Sequence, residues 1–166
     1  MMRKLVAARR VGWLVTLPFS AALLLLAANP AAAAGPMIEA SGTFVRTSFV
    51  QSNVRTVGGV TRFDFTQTDA LSGTLSGTNV LQGSCVVPAS GETVCHASET
   101  FTGTAAGQSG RLQQRDVTFR DPTTGASHAI FVVVGGTGGL ANLHGSGTFQ
   151  GIMGAGTYTA QVFFAP

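Results

Sequence analysis

Apolar and polar residues alternate along most of the chain from residue 38 onward, as in residues 62–66 and 127–134. A period of two is typical of β-strands, and no window shows the i, i+3, i+4, i+7 spacing of an amphipathic helix. Clusters of Gly, Pro and Ser separate the alternating segments. The pattern predicts eight strands, at about 38–51, 60–71, 73–87, 92–105, 110–120, 126–135, 143–151 and 155–165.

Eight strands joined by short turns indicate an antiparallel meander. An open sheet of this size leaves two unpaired edges, so the sheet is expected to close into a barrel or fold into a sandwich. Glycines inside the predicted strands, at residues 72–78, 101–104 and 144–149, favour the barrel, because they allow strong coiling and close backbone approach. The predicted fold is therefore an all-β, eight-stranded, antiparallel up-and-down β-barrel.

The N-terminal segment has a different composition. Residues 1–10 are basic, residues 11–28 are apolar, and residues 29–34 combine a helix breaker with small residues. These three regions are typical of a helical secretory signal peptide, with cleavage after Ala34. An uncleaved anchor is the alternative, because about 20 apolar residues span a bilayer, but Pro18 interrupts the stretch. We expect a removed signal peptide at 1–34, a single barrel domain at 35–166, and a secreted, extracellular protein without a stable membrane anchor.

Two cysteines, Cys85 and Cys95, lie in the predicted exported part. An even number of cysteines in an oxidising compartment predicts a disulfide. Residues 86–94 run from apolar through Pro and Gly back to apolar, which predicts a hairpin that places the two cysteines on facing strands. A metal site that includes His96 lacks the paired Cys-x₂₋₄-Cys spacing and a fourth ligand, so no metal is predicted.

The charges exclude a nucleic-acid partner. Four of the ten basic residues lie within the first ten positions, and the rest of the chain has six Arg, no Lys and seven acidic residues. A body with a net charge of −1 lacks the basic cluster that phosphate binding needs. Residues 136–141 match G-x-G-x-x-A, but a strand follows where a dinucleotide-binding domain has a helix. We predict a glycine-rich turn there, and no cofactor.

Three stretches carry a family resemblance: residues 99–110, 133–149 and 156–159. The order F-x-G-x-x-x-G-x-S-G, then a strand, then G-[ST]-G-x-L-x-x-L-x-G-x-G, resembles the DUF3224 family of uncharacterised bacterial proteins. The resemblance implies an allene oxide cyclase-like, dirigent-like barrel of the calycin type, whose lumen accepts a small apolar molecule. Relatives in the wider superfamily include a cyclase and proteins that guide radical coupling, and many of them form homo-oligomers.

Four aromatic residues are candidates to line a ligand pocket: Phe63, Phe65, Phe131 and Tyr158. An eight-stranded barrel is just wide enough to be filled by side chains or to take one small ligand. The same aromatic residues serve a packed core or a pocket, so both interpretations stay open at this point.

Glu99 and His128 are the candidates for general acid–base chemistry. His128 alternates with Ile130, Val132 and Val134 and is expected at a barrel mouth. The ordinary alternative for each is a satisfied or exposed polar residue.

Three functions follow from these features. The first is a non-catalytic binding module for a small apolar or aromatic ligand in the lumen. The second is a cofactor-independent cyclase or isomerase in which Glu99 or His128 faces a bound apolar substrate. The third is a structural protein that associates with itself as a homo-oligomer.

Overall fold

The computed structural model describes residues 35–166, and the predicted signal peptide at 1–34 lies outside the described residues. The described part of the chain contains strands and turns and no helix. Accordingly, no helix in this part is long and apolar enough to cross a membrane. The eight strands are β1 (Ile38–Val57), β2 (Val60–Gly73), β3 (Leu75–Val87), β4 (Thr93–Ala105), β5 (Gln108–Arg120), β6 (Ala126–Gly138), β7 (Leu143–Ile152) and β8 (Ala155–Phe164).

Each strand pairs antiparallel with the next, and β8 returns to pair with β1 from Ile38↔Val162 to Val45↔Ala155. This closes an up-and-down barrel and leaves the sheet without free edges. The predicted fold is therefore confirmed. The largest difference from the predicted bounds is in β1, which continues to Val57, where a two-residue turn returns the chain into β2. This extension is exposed on both faces, so it lacks the burial alternation used to place the strand ends.

One half of the barrel interior, called here the packed half, is filled by apolar side chains. The turn between β6 and β7 places Leu140 inside this end of the barrel, where it is fully buried. The G-x-G-x-x-A match at residues 136–141 runs from the end of β6 into this turn, and strand β7 follows the turn. The core of the packed half includes Leu71, Leu75, Phe101, Leu112, Phe131, Leu143, Tyr158 and Val162.

The Tyr158 side chain ties β8 to the start of β3 inside the packed half. Its hydroxyl accepts a hydrogen bond from the Leu75 N–H at 2.7 Å and lies 3.0 Å from the Leu75 carbonyl oxygen. The ring lies against β1 at Gly42, where an added Cβ would stand 2.5 Å from the Tyr158 hydroxyl and 1.9 Å from the Ser72 carbonyl oxygen. Residue 42 must therefore be glycine, because a Cβ atom there would overlap the Tyr158 side chain and the Ser72 carbonyl oxygen.

The other half of the barrel carries the disulfide. Cys85 of β3 and Cys95 of β4 are direct cross-strand partners with Cα atoms 4.1 Å apart, and the bond between them is formed. This confirms the disulfide predicted from the hairpin pattern. Cys85 packs in a second, smaller core cluster with Phe65, Leu81 and Ala97.

Candidate functional site

A cavity of about 350 Å³ occupies the half of the barrel opposite the packed half. It lies below the turns β1–β2, β3–β4, β5–β6 and β7–β8, which form the open end of the barrel. Its walls are mainly apolar and include Phe49, Phe63, Phe65, Leu81 and Val87. The volume falls in the range of small-molecule pockets, which are usually concave and largely apolar with a few placed polar groups.

The polar groups lie where the cavity meets the packed half. We call them the polar floor, and they are Gln67 and Asp69 of β2, Asn79 of β3, Glu99 of β4 and Asp116 of β5. All five are buried; Asn79 and Glu99 are only 1% exposed, and Asp69 and Asp116 are 5% exposed.

The strand register brings the polar floor together. Side chains alternate across a strand, so each of these residues occupies an inward position. Asp69 is the direct partner of Asn79, while Glu99 faces Leu81 and lies diagonally from Asn79. Asp116 is paired with Ala97, two residues before Glu99 on the same face. Four consecutive strands therefore present their polar residues at nearly one level of the barrel.

Hydrogen bonds within the polar floor satisfy only some of its donor and acceptor atoms. The Gln67 amide donates to the two Asp69 carboxyl oxygens at 3.0 and 2.8 Å. The Asn79 amide donates to Glu99 Oε2 at 2.5 Å, and the Thr118 hydroxyl donates to Asp116 Oδ2 at 2.6 Å. Asn79 Oδ1 and Asp116 Oδ1 are buried and have no hydrogen-bond partner in residues 35–166.

The buried carboxyl groups hold protons more strongly than usual. Burial raises the pKa of Glu99 from 4.5 to about 8, and the neighbouring charge of Asp116 adds to the effect, while the hydrogen bond from Asn79 opposes it. Burial also raises the pKa of Asp116. The Thr118 hydroxyl and the nearby Ala97 N–H lower this pKa, but the Ala97 N–H does not form a hydrogen bond to Asp116 Oδ1. Glu99 is therefore mostly protonated at neutral pH, and because the two carboxyl groups interact, protonation of one affects protonation of the other.

Arg46 of β1 lies close to the floor as the cross-strand partner of Asp69. Burial lowers the pKa of Arg46, and the charge of Asp69 opposes that shift. Its guanidinium carbon lies 5.0 Å from the centre of the Phe49 ring, which is a cation–π distance. The backbone N–H of Arg46 donates a hydrogen bond to the Gly154 carbonyl oxygen at 2.6 Å. The backbone of Arg46 therefore lies beside the β7–β8 turn at the open end.

The structure places the predicted pocket and acid–base residues in different parts of the barrel. Phe63, Phe65 and Glu99 line the cavity. Phe131 and Tyr158 lie in the packed half, where they are 2% and 1% exposed and are not part of the cavity wall.

His128 lies on the outer surface of the barrel, where its ring stacks on Phe119 with centroids 5.0 Å apart. It shares the outward face of β6 with Ile130, Val132 and Val134, all of them exposed. The structure therefore does not bring His128 and Glu99 together. Within residues 35–166, no group of three or more His, Cys, Asp or Glu side chains is placed to hold a metal ion.

Sequence reasoning missed Gln67, Asp69 and Asn79 as parts of the site. The available signal was a polar residue at an inward position in each of four successive strands. That signal becomes visible only when the inward face of each strand and the pairing register are known.

The fold and cavity define a class, a small closed antiparallel barrel with a polar-floored interior pocket. The chain belongs to the DUF3224 family, described as a protein of unknown function, whose model matches residues 40–161. The chain is similar in structure to a protein of unknown function from this family from Shewanella oneidensis MR-1, solved by crystallography at 1.84 Å resolution. The TM-score is 0.67 with 20% sequence identity, covering 79% of this chain and 99% of that one.

At this identity the likeness concerns the fold alone. No curated protein matches the chain. The family resemblance inferred from the glycine-rich motifs is confirmed, and the relationship to allene oxide cyclase-like barrels stays a prediction.

Proposed function

We propose that this protein binds one small, predominantly apolar or aromatic molecule in the cavity of its barrel. The observation that carries the proposal is the contrast between the two halves of the interior. The packed half is filled, while the other half leaves about 350 Å³ beside the rings of Phe63 and Phe65. Burial of apolar ligand surface against such walls is the main driving force for binding.

Neighbouring residues on β6 provide the test. Ala129 faces inward, is 6% exposed and lines the cavity, whereas the next residue, Ile130, faces outward and is 58% exposed. Ala129→Phe places a ring inside the cavity, and Ile130→Phe places the same ring on the surface. The half-buried cavity residue Ser127 offers a second blocking substitution, Ser127→Phe, nearer the open end.

The experiment is a fluorescence titration with N-phenyl-1-naphthylamine, a neutral aromatic probe that brightens in apolar surroundings. We expect saturable binding to the wild type and to Ile130→Phe, and loss of that binding in Ala129→Phe and Ser127→Phe. Circular dichroism of each variant checks that the barrel is folded. Binding that does not saturate, or that survives both blocking substitutions, contradicts the proposal.

A second candidate function is catalysis in which Glu99 transfers a proton. A buried carboxyl group whose pKa is about 8 is suited to give or take a proton near neutral pH, and Glu99 lines the cavity where a substrate would lie. The hypothesis is a cofactor-independent isomerase in which Glu99 moves a proton on a bound apolar substrate. One measurement distinguishes this hypothesis from binding alone. We expect the wild type to exchange solvent deuterium into carbon positions of a bound compound, and the Glu99→Gln variant not to do so.

A further inference from the structure

The polar floor contains more hydrogen-bond acceptors than donors. Asn79 Oδ1 is buried without a partner, and Asp116 Oδ1 has none except the proton of Glu99, since Glu99 and Asp116 share a hydrogen bond when Glu99 is protonated; both Asn79 and Asp116 line the cavity. Leaving a buried polar atom unpaired is costly, so such atoms mark places where a further donor is accommodated. Among the buried side-chain atoms of residues 35–166, the one donor without a partner is Arg46 Nε, and Arg46 lines the cavity across from Asp69.

The local charge of the floor is negative. Asp69 has a cation as its cross-strand neighbour in Arg46, and it receives two hydrogen bonds from Gln67. Glu99 and Asp116 have no arginine as a cross-strand partner; the charge of His96 lowers the pKa of Asp116, while the charges of Asp116 and Asp69 both raise the pKa of Glu99. The unpartnered acceptors Asn79 Oδ1 and Asp116 Oδ1 therefore lie in the part of the floor that has no arginine beside its carboxyl groups.

We propose that the polar floor receives the ammonium group of a small primary amine whose hydrocarbon or aromatic body fills the apolar part of the cavity. This inference rests on the proposed function and adds the chemical class of the ligand. In the proposed complex the three N–H groups of the ammonium ion donate to Asn79 Oδ1, to Asp116 Oδ1 and to the ionised Glu99 carboxylate. Beyond the floor, Phe65 and Leu81 provide the apolar surface for the body of the ligand.

Binding of the cation is linked to loss of a proton from Glu99. Before binding, Glu99 holds a proton at neutral pH, which reduces the negative charge of the floor. An ammonium ion supplies positive charge instead, so the proton leaves Glu99 for the buffer as the amine binds. The groups that face Glu99 are Asp116 of β5, Asp69 of β2 and Asn79 of β3. The charge of Arg46 acts on Asp69, that of His96 on Asp116, and that of Arg120 on Arg46.

The test uses three ligands of nearly equal shape: 3-phenylpropylamine, 3-phenylpropan-1-ol and 3-phenylpropanoate. Each competes with N-phenyl-1-naphthylamine for the wild-type protein. We expect the amine to bind about ten- to a hundredfold more tightly than the alcohol at a pH near 8, because charge-assisted hydrogen bonds are the stronger ones. The carboxylate is expected to bind most weakly, since it meets a negative floor.

Calorimetry in buffers of different ionisation enthalpy measures the proton. We expect release of close to one proton per bound amine at neutral pH, and none for the alcohol. Glu99→Gln removes the release, while Glu92→Gln, which changes an exposed carboxylate in the β3–β4 turn, keeps it. If Glu99→Gln does not fold, the wild-type comparison of amine with alcohol still decides the matter.

The outcomes separate the two proposals. Equal affinity for amine and alcohol, no proton release, or displacement by none of the three ligands overturns the amine proposal. Saturable binding of the neutral probe that is lost in Ala129→Phe continues to support the proposed function in each of those cases.

Discussion

The side-chain amide of Asn79 donates a hydrogen bond to Glu99 Oε2 at 2.5 Å, and both side chains are 1% exposed. The bond fixes the orientation of the Asn79 amide, because its nitrogen is used by Glu99 and its oxygen is left without a partner. A carboxyl group and an amide therefore meet at the bottom of the cavity, where the amide oxygen is available to accept a further hydrogen bond.

The first prediction concerns stability against pH. A carboxyl group with a raised pKa binds its proton more tightly in the folded state than in the unfolded chain. The stability this gives is fully present below the unfolded pKa of 4.5 and is lost as pH rises through about 8. We expect the free energy of unfolding to fall by on the order of 4 kcal/mol over this interval, measured by urea denaturation.

Glu99→Gln is expected to remove most of that slope, because an amide carries no charge at any of these pH values. The remaining slope comes from Asp69 and Asp116, whose pKa values burial also raises. Glu92→Gln serves as the matched control and should keep the wild-type slope. A wild-type stability that rises from about pH 5 to about pH 8 contradicts the protonated state of Glu99.

The second prediction concerns Tyr158→Phe. This substitution keeps the ring in the packed half and removes the hydroxyl that accepts from the Leu75 N–H. The buried N–H then has no partner, which costs about 1–3 kcal/mol. Urea denaturation measures the loss, and binding of the neutral probe should be unchanged, because Tyr158 is not part of the cavity wall. A variant that is as stable as the wild type shows that the hydroxyl is dispensable.

A pair of glycines gives the third prediction. An added Cβ at Gly147 would lie 2.4 Å from the Thr159 carbonyl oxygen and 2.7 Å from the Phe131 ring, so Gly147→Ala forces strands β7 and β8 apart. At Gly135 an added Cβ meets nothing within 4 Å. We expect Gly147→Ala to destabilise the barrel by about 1–3 kcal/mol or more, and Gly135→Ala to be neutral or slightly stabilising. Thermal unfolding of both variants provides the comparison, and equal midpoints contradict it.

The fourth prediction concerns the disulfide. Cys85 and Cys95 close a loop with a sequence separation of 10, so their bond restricts the unfolded chain. We expect the Cys85→Ala, Cys95→Ala double variant to lose about 2–3 kcal/mol and to keep its β-sheet circular dichroism. The fold survives because the β3–β4 pairing continues for ten residue pairs beyond the disulfide, to Leu75↔Ala105. Loss of the sheet signal at room temperature contradicts this.

The amino-acid pattern was sufficient for the strands, the closure and the disulfide, because each depends on local alternation, turn residues and spacing. It was insufficient for the site. Phe65 and Phe131 each lie five residues from the open end of their strands, yet Phe65 lines the cavity and Phe131 packs in the core. Which of the two a residue does depends on its height along the barrel. Height along the barrel is set by the stagger of all eight strands, which no single segment encodes.

His128 shows the same limit for the faces of a strand. Ile130, Val132 and Val134 are apolar yet exposed, while Ala129, Phe131 and Val133 are buried on the other face of β6. When both faces of a strand are apolar, the alternation does not reveal which one is inward. For this reason the sequence pattern did not reveal that His128 faces outward.

The most direct test of ligand binding in the cavity is an NMR measurement of nuclear Overhauser effects between a bound neutral probe and the protein methyl groups. Leu81 and Ala129 line the cavity, while Ile130 and Val132 lie on the outer surface. With N-phenyl-1-naphthylamine bound, we expect effects to the methyl groups of Leu81 and Ala129 and none to those of Ile130 and Val132. Effects confined to the outer methyl groups would contradict the account, because they would place the bound molecule outside the barrel.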